Sequence, residues 1–404
     1  FVIKHAEAYH AGALDSFDEV GIRVLGPHTL EVTLEHPTPY FLDLHIHYTY
    51  FPVHRPSIEA AGGLYDRTSP WTRPGKMVTN GPYVLTVWEP AERISVRRNP
   101  EYWDAARVTL DGIDYLPIAN TQTEERSFRA GDLHMTQSVP LQRIDTYREE
   151  NPDLLQLKPY FGNYFYRFNV TRPPLDDVRV RRALSLAVDR TQILAILQNG
   201  GERVATHFVP PEAPDYTGPE LVRHDPEEAR ALLAEAGYPN GEGFPQLDIL
   251  YNTLEAHRTI AEAIQRMWKD ALGIEVGILN QDWKVYISST QQLQYDISRA
   301  GWIGDFLDPM AFLKILRTGD GNNNTGWGSD AYDALLERAE ATVDPTERAQ
   351  VLQQAETVLL EEAPLMPIYF YSRKFLKRPD VQNFAMSPTG YIAWHTIVLE
   401  EGGA

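Results

Sequence analysis

The chain has 404 residues, with 56 acidic and 37 basic side chains and a formal net charge of −19. This length suits two or three domains, and 43% hydrophobic residues argue against disorder. An acidic surface repels phosphate, which argues against nucleic-acid binding and against a role on an anionic membrane surface. The absence of cysteine excludes disulfides, thiolate metal sites and cysteine nucleophiles, and it fits a secreted bacterial protein.

Two further features bear on localisation. The chain begins at Phe1, without a leader in which basic residues precede an apolar run. Its longest apolar stretch, residues 363–371, is far shorter than the about 20 residues that span a bilayer. We therefore expect a soluble chain that has lost a signal segment or is a fragment of a longer protein.

Hydrophobic alternation and turn residues predict the elements in chain order. Hairpins are expected over residues 21–34 and 83–97. Further strands are predicted over residues 108–116, 132–136, 164–169, 274–279 and 367–371. Capping residues and C-terminal glycines predict helices over residues 177–199, 225–237, 255–272 and 345–362. Strands and helices in mixed, irregular order, without an internal repeat, predict α/β lobes.

Common catalytic motifs are absent: the chain has no GxSxG, P-loop, HExxH or GxGxxG sequence. His45, His47 and His54 fall close together, and a His-x-His pair can bind a metal along one strand face. No carboxylate lies among them in the sequence. We therefore expect solvated or packed histidines and no metal site.

The sequence DGNNNTG imitates a calcium-binding loop, with Asp320, Asn322 and Asn324 at the first, third and fifth positions. Thr325 stands where such loops need glycine, and Ala331 stands where they need glutamate. The prediction is a polar turn without a calcium ion.

The segment RAGWIGDFLDPMAF contains the most informative carboxylate. Asp305 follows Gly304, which would let the backbone approach a ligand closely, and Trp302 and Phe306 supply apolar walls. A carboxylate in an aromatic, partly dehydrated pocket is suited to an ammonium group. An internal ion pair with Arg299 is the structural alternative, and the residues alone leave both interpretations open.

Nine short sequence stretches, spread in order over nearly the whole chain, resemble segments of one known protein family. They are TLEVTLEHPTPYF at 29–41, NGPYVLTVW at 80–88, RNPEYWD at 98–104, YLPI at 115–118, RAGDLHMT at 129–136, DDVRVRRALSLAVDR at 176–190, AEAGY at 234–238, NQDW at 280–283 and RAGWIGDFLDP at 299–309. Together they make the chain similar to the family-5 solute-binding proteins of bacterial ABC importers, and among these to the oligopeptide-binding proteins.

The resemblance implies a periplasmic-binding-protein-like α/β fold of type II (cluster C), a two-lobed clamp with a small additional domain. We expect residues 1–78 to form part of the small domain. Residues 79–161 with 372–404 would form the first lobe, and residues 162–371 the second. Family members carry a substantial N-terminal region before the position of Phe1, so we expect an N-terminally incomplete fold.

The implied function is a receptor that captures oligopeptides between two lobes and delivers them to a membrane ABC permease. By this resemblance Asp305 would bind the peptide ammonium group. Trp283 and Trp302 would line side-chain pockets, and Arg299 and His257 would meet the C-terminal carboxylate.

Several positions depart from the family pattern. Arg167 stands where peptide-binding relatives often have an acidic residue, so it would favour an acidic side chain or a carboxylate. Phe165, in the same segment, is a further candidate ligand contact. Gln137 and Ser138 replace a Tyr-Asn pair beside the peptide backbone, and Thr290 replaces a carboxylate-binding arginine. These departures leave the preferred peptide length open.

Other functions remain as alternatives. One alternative is a receptor of the same kind that binds dipeptides, nickel complexes, sugars or opines. A hydrolase using Asp305 and Asp308 is disfavoured, because Asp308 precedes Pro309 as a helix cap and should be structural. We expect no enzyme activity, cofactor or nucleic acid, and a monomer that is periplasmic, or extracellular and membrane-anchored through the absent N-terminus.

Overall fold

The computed structural model describes residues 2–197 and 200–400. Its strands, in chain order, are β1 (Ile22–Gly26), β2 (Thr29–Val32), β3 (Tyr83–Glu89), β4 (Arg93–Arg98), β5 (Gly112–Tyr115), β6 (Leu155–Phe168), β7 (Arg203–Val204), β8 (Leu247–Asn252), β9 (Val276–Gln281), β10 (Ile297–Ile303), β11 (Leu365–Leu376), β12 (Val381–Gln382) and β13 (Val398–Leu399). Its helices are α1 (Ala6–His10), α2 (Arg55–Ala60), α3 (Thr121–Ala130), α4 (Ile144–Glu150), α5 (Val178–Leu186), α6 (Arg190–Ile196), α7 (Pro226–Glu235), α8 (Glu255–Leu272), α9 (Trp283–Gln291), α10 (Met310–Leu313), α11 (Asp330–Ala341) and α12 (Pro345–Glu362).

The chain divides into two compact units. The first unit consists of Phe1–His47, Phe161–Leu197 and Glu202–Tyr371. The second consists of Tyr48–Tyr160, Gln198–Gly201 and Ser372–Ala404. The predicted division into a small domain over residues 1–78 and two lobes stays a prediction.

A six-stranded sheet in the order β7-β11-β6-β10-β8-β9 forms the centre of the first unit. Strands β8, β9 and β10 run parallel, and α8 and α9 make the crossovers between them. Strand β10 pairs antiparallel with β6, which sets Arg299 opposite Tyr166 and Trp302 opposite Asn163. Because successive side chains of a strand alternate between faces, Arg299 and Trp302 lie on opposite faces of this sheet.

Helix α8 shows how the sequence pattern produces this packing. Its buried residues Ile260, Ile264 and Trp268 recur at helical spacing and form one apolar stripe. The indole N–H of Trp268 donates to the carbonyl of Leu184, 2.8 Å away, so the buried ring leaves no orphaned donor. Gly273 ends the helix in the left-handed conformation, as the sequence predicts.

The second unit has its own small sheets and core. Strands β3, β4 and β5 form a three-stranded antiparallel sheet, and β12 pairs with β13. A buried cluster joins Phe128 of α3 and Tyr147 of α4 to Leu376 at the end of β11. The Tyr147 hydroxyl donates to the buried carboxylate of Glu125 at 2.7 Å, which satisfies both polar groups.

Two of the predicted elements were wrong. The helix predicted over residues 177–199 is two helices, α5 and α6, because Asp189 caps a new start by accepting from the amides of Thr191 and Gln192. Its predicted last two residues, 198–199, lie outside the described residues. The strand predicted over residues 132–136 is reduced to an isolated bridge between Met135 and Lys377.

Candidate functional site

The turn after β10 carries the predicted ammonium-binding residue. The Asp305 side chain is 62% exposed, and its Oδ1 lies 3.9 Å from Nε2 of His47, whose side chain is 24% exposed. His47 and Asp305 are far apart in the chain, so their sequence positions predict no contact between them and suggest only metal binding for His47. The structure thus adds an imidazole beside a carboxylate that is open to solvent.

Gly304 has a packing role in this turn. A Cβ atom built there would lie 2.5 Å from Cδ1 of Phe161 and 2.9 Å from Cε2 of Phe312, two rings that are completely buried. Its amide donates to the carbonyl of Phe161 at 2.8 Å. The space beside Gly304 is therefore filled by core rings, which corrects the prediction that this glycine lets a ligand approach the backbone closely.

Trp302 and Arg299 are on the same strand, but their side chains lie on opposite faces of the sheet. The half-buried indole of Trp302 donates to the carbonyl of Ala311 at 2.7 Å, which fixes the ring beside the Asp305 turn. The Arg299 guanidinium donates to Asn252 Oδ1 at 3.3 Å and to the Tyr371 hydroxyl at 2.9 Å. Arg299 therefore binds neutral partners, and the described part of the chain does not show the suggested ion pair with Asp305.

A buried aromatic and polar cluster surrounds Arg299. Its guanidinium carbon lies 4.6 Å from the ring centroid of Tyr164, and the Tyr286 hydroxyl donates to its main-chain carbonyl. These tyrosines and Asn252 had no distinctive sequence signal, because each contributes one ordinary polar group from a separate element. Among the described residues, Nε of Arg299 is buried without a hydrogen-bond partner.

His257 lies in the same cluster and is buried, with Nδ1 3.3 Å from the Tyr164 hydroxyl. Burial, with the nearby positive charge of Arg299, lowers the pKa of His257 to about 3. The imidazole is consequently neutral at pH 7. The two residues predicted to meet a carboxylate therefore bring one positive charge, that of Arg299.

Trp283 begins α9 directly after the capping residue Asp282, and its side chain is 58% exposed. It stacks on Tyr286 with ring centroids 5.8 Å apart and an interplanar angle of 22°. Thr290, at the far end of the same helix, is buried and donates to the carbonyl of Ile287. Thr290, which the family resemblance suggested as a replacement for an arginine, is thus buried and uncharged.

Phe165 and Arg167 lie on the Trp302 face of the sheet. Phe165 is 1% exposed and packs edge-on against Phe208 at 5.2 Å. The guanidinium of Arg167 lies 5.6 Å from the Phe165 ring and is half-buried. Part of the Arg167 side chain is therefore exposed to solvent, while the Phe165 ring beneath it is buried.

Gln137 and Ser138 belong to the second unit. The carboxylate of Glu124 accepts from the amide of Gln137 and from the hydroxyl of Ser138 at 3.1 Å. The Thr136 hydroxyl donates to the Ser138 carbonyl at 2.7 Å. The backbone of this segment is held firmly, and the Gln137 side chain is exposed.

The segment that resembles a calcium-binding loop folds as a polar turn, and the histidine segment forms two short 3-10 helices, Asp43–Ile46 and Tyr48–Tyr50. The Asp320 carboxylate accepts from the amide of Asn322, and the Asn323 side chain donates to three main-chain carbonyls. Nδ1 of His45 lies 2.9 Å from the carbonyl of Phe41. Within residues 2–197 and 200–400, no three histidine, aspartate or glutamate side chains are placed to hold a metal ion.

Comparison with known proteins places the chain in a family. Residues 2–324 match the sequence profile described as bacterial extracellular solute-binding proteins, family 5, middle. The chain is 35% identical to the periplasmic oligopeptide-binding protein of Salmonella typhimurium, over 91% of this chain and 67% of that protein. It is equally identical to a probable deoxycholate-binding periplasmic protein of Escherichia coli, over 96% of this chain and 72% of that protein.

A solved structure matches the fold. The murein tripeptide binding protein of Escherichia coli superposes with a TM-score of 0.82 at 32% identity, covering 98% of this chain and 78% of that one. This match confirms the predicted periplasmic-binding-protein-like α/β fold class. None of the helices in the described part of the chain is long and apolar enough to cross a bilayer.

Proposed function

Because the chain belongs to family 5 of the bacterial extracellular solute-binding proteins, we propose that it is a receptor that captures oligopeptides and delivers them to a membrane ABC permease. The observation that carries this proposal is the exposed Asp305 carboxylate directly after β10, the strand on which a hydrogen bond fixes the Trp302 indole. A relative that binds oligopeptides supports the same cargo. The N-terminal ammonium of a peptide is the ligand group that Asp305 recognises.

The remaining candidate residues serve other parts of the ligand. Arg299 offers the single positive charge of its cluster to a carboxylate, with neutral His257 as a hydrogen-bonding neighbour. Arg167 favours an acidic side chain, and exposed Trp283 provides an apolar surface. In these roles, a few polar groups held in fixed positions among aromatic side chains select the ligand.

Gln137, Ser138 and Phe165 are the other candidate residues, the first two in the second unit and Phe165 in the first. Gln137 presents an exposed amide side chain on a backbone segment anchored by Glu124, which suits hydrogen bonding to a peptide main chain. Ser138 is already engaged with the same glutamate, and Phe165 is buried, so both act by supporting their neighbours.

We place the protein among receptors without catalytic activity. The hydrolase alternative needs Asp305 and Asp308 as an acid–base pair, but both oxygens of the buried Asp308 carboxylate accept from Arg348. We further propose a periplasmic or extracellular location and a monomer, with the permease of an ABC importer as the protein partner. The Salmonella relative is a periplasmic protein, which supports the periplasmic location.

One second cargo has a specific observation behind it, namely the 35% identity to a probable deoxycholate-binding protein. Deoxycholate carries a carboxylate but no ammonium group, so Asp305 has no counter-charge in such a complex. The two cargoes therefore differ in whether Asp305 contributes to binding.

Calorimetry with tri-, tetra- and penta-alanine, each with a free and an acetylated N-terminus, tests the proposal. Asp305→Asn should weaken binding of the free peptides by about 2 kcal/mol, the lower end for a charge pair because this carboxylate is exposed without ligand. That is roughly a thirtyfold loss. The matched control is Asp330→Asn, an exposed aspartate at the start of α11, which should bind as wild type does.

Acetylation of the peptide should cost wild type a similar factor and should cost Asp305→Asn little. Binding of deoxycholate, combined with no measurable binding of any alanine peptide, would replace the peptide proposal by the second cargo. Peptide binding that is indifferent to both acetylation and Asp305→Asn would keep the receptor role and remove Asp305 from it.

A further inference from the structure

The turn that presents Asp305 is fixed at both ends. At its start, the Gly304 amide donates to the Phe161 carbonyl at 2.8 Å. At its end, the Asp308 carboxylate accepts from the amide of Met310 at 2.9 Å, where α10 begins. Since the Asp305 side chain is itself exposed, the position of its carboxylate depends on how firmly residues 304–309 are held.

A buried ion pair joins this turn to α12. Arg348 donates from Nη1 to Oδ2 of Asp308 at 2.8 Å and from Nη2 to Oδ1 at 2.9 Å. The two side chains are 9% and 10% exposed, respectively. A two-pronged guanidinium–carboxylate contact fixes orientation as well as distance, so Asp308 ties the turn to the helix in one geometry.

An aromatic stack restrains the other side of the turn. The ring of Phe306, the residue that follows Asp305, stacks on Tyr40 with centroids 4.3 Å apart and an angle of 14° between planes. Tyr40 is 5% exposed, and the Arg348 guanidinium lies 5.8 Å from its ring centroid. Arg348 and Tyr40 therefore contact each other, and each contacts a residue of the turn.

We propose that Arg348, Asp308 and Tyr40 are positioning residues for Asp305, which together set the carboxylate for a peptide ammonium group. All three are buried, so they act on ligand recognition through the turn and do not touch the ligand. This inference rests on the proposed function of Asp305. It assigns a binding role to residues that would otherwise count only toward stability.

The test compares affinities for tetra-alanine with a free and with an acetylated N-terminus, and takes their ratio as a measure of ammonium recognition. Tyr40→Leu removes the stacked ring. The double variant Asp308→Asn, Arg348→Met removes both charges together, so no unpaired buried charge remains, and the asparagine can still accept from Met310. Loss of stability by itself leaves this ratio unchanged.

The control for stability is Leu359→Ala, which cuts a completely buried side chain from the same helix. It lies eleven residues beyond Arg348, about 16 Å along the helix axis. Both positioning variants should lower the affinity ratio about tenfold, comparable to the low end of effects seen when residues supporting a metal ligand are changed. Leu359→Ala should keep the wild-type ratio despite its lower melting temperature.

Unchanged ratios in Tyr40→Leu and in the double variant, with wild type still preferring the free peptide, would overturn the inference and leave the function of Asp305 intact. A wild-type ratio of one would instead overturn the role of Asp305, and this inference with it. If the double variant does not fold, Tyr40→Leu and the milder Arg348→Lys decide the outcome by the same ratio.

Discussion

Burial determines which charges exist at neutral pH in the first unit. His257 is buried beside Arg299, and its pKa falls to about 3, so it stays neutral where an exposed histidine would begin to protonate. A ligand carboxylate near this cluster therefore meets Arg299 alone. Lowering the pH from 8 to 5 should not add a second positive charge there.

Glu356 of α12 has a completely buried carboxylate, which accepts from the Phe208 and Val209 amides and from the Tyr216 hydroxyl. Burial raises its pKa to about 7 from an ordinary value of 4.5. At pH values between 4.5 and about 7, Glu356 is ionised in the unfolded chain but still protonated in the folded chain. This group therefore reduces stability as the pH rises through that window.

We predict that Glu356→Gln removes this pH dependence. At 1.36 kcal/mol per unit of pKa difference, the free energy of unfolding of wild type should fall relative to the variant by about 3 kcal/mol between pH 4 and pH 8. Urea denaturation of both proteins at several pH values measures the difference. Glu361→Gln, an exposed position on the same helix, is the control and should follow wild type. A constant difference between Glu356→Gln and wild type across this range would contradict the prediction.

At the scale of elements, core packing and the proposed ligand presentation by the Asp305 turn depend on one backbone segment. Gly304 lies where a side chain would meet Phe161 and Phe312, and both rings are completely buried. The rings cannot withdraw without opening the core between the sheet and α10. The glycine is thus required for packing at the residue directly before the presented carboxylate.

Gly304→Ala should therefore destabilise the protein by about 1–3 kcal/mol, the usual cost of forcing an extra methyl group into a filled core. Chemical denaturation measures this effect. Gly321→Ala is the matched control, because a Cβ there meets nothing within 4 Å. The Gly304 variant should also lose affinity for tetra-alanine, since its turn must shift. Equal stability of the two variants would show that the rings move aside freely.

The ends of helices were predictable where a capping residue and the apolar period agreed. Helix α12 begins after Asp344, which accepts from the amide of Glu347, and α8 ends at Gly273. The apolar period runs on through residues 178–196 because α5 and α6 are both buried. That continuity hid the break between them, which Asp189 creates by capping α6.

At the scale of the whole molecule, ligand binding should appear as thermal stabilisation. A ligand that binds only the folded chain adds about 2.7 kcal/mol at a concentration one hundred times its Kd. For a unit as large as the first one, this corresponds to a rise of roughly 5 °C in the Tm. Tetra-alanine should produce this shift in a thermal scan of wild type.

Two comparisons make the thermal scan decisive. Tetra-alanine at the same concentration should shift the Tm of Asp305→Asn far less, and acetylated tetra-alanine should shift wild type far less. An equal shift for the free and the acetylated peptide would contradict recognition of the ammonium group.

The sequence by itself determined the family, the α/β class and the helices α7, α8 and α12, because these depend on local periodicity, caps and stretches of residues that are close in the chain. It also assigned a structural role to Asp308, since the Asp-Pro pair before a helix is a local signal. Its candidate ligand residues were carried over from resemblance. The sequence suggested a partly dehydrated pocket for Asp305, whereas its side chain is 62% exposed.

Only the tertiary structure decided the surroundings of those residues. It placed His47 beside Asp305, tied Asp308 to Arg348, gave Arg299 neutral partners, and buried His257 so that it is neutral. Each of these facts joins side chains that are distant in the chain. No local pattern encodes such contacts, because burial and electrostatic environment arise only when the sheet and its helices pack together.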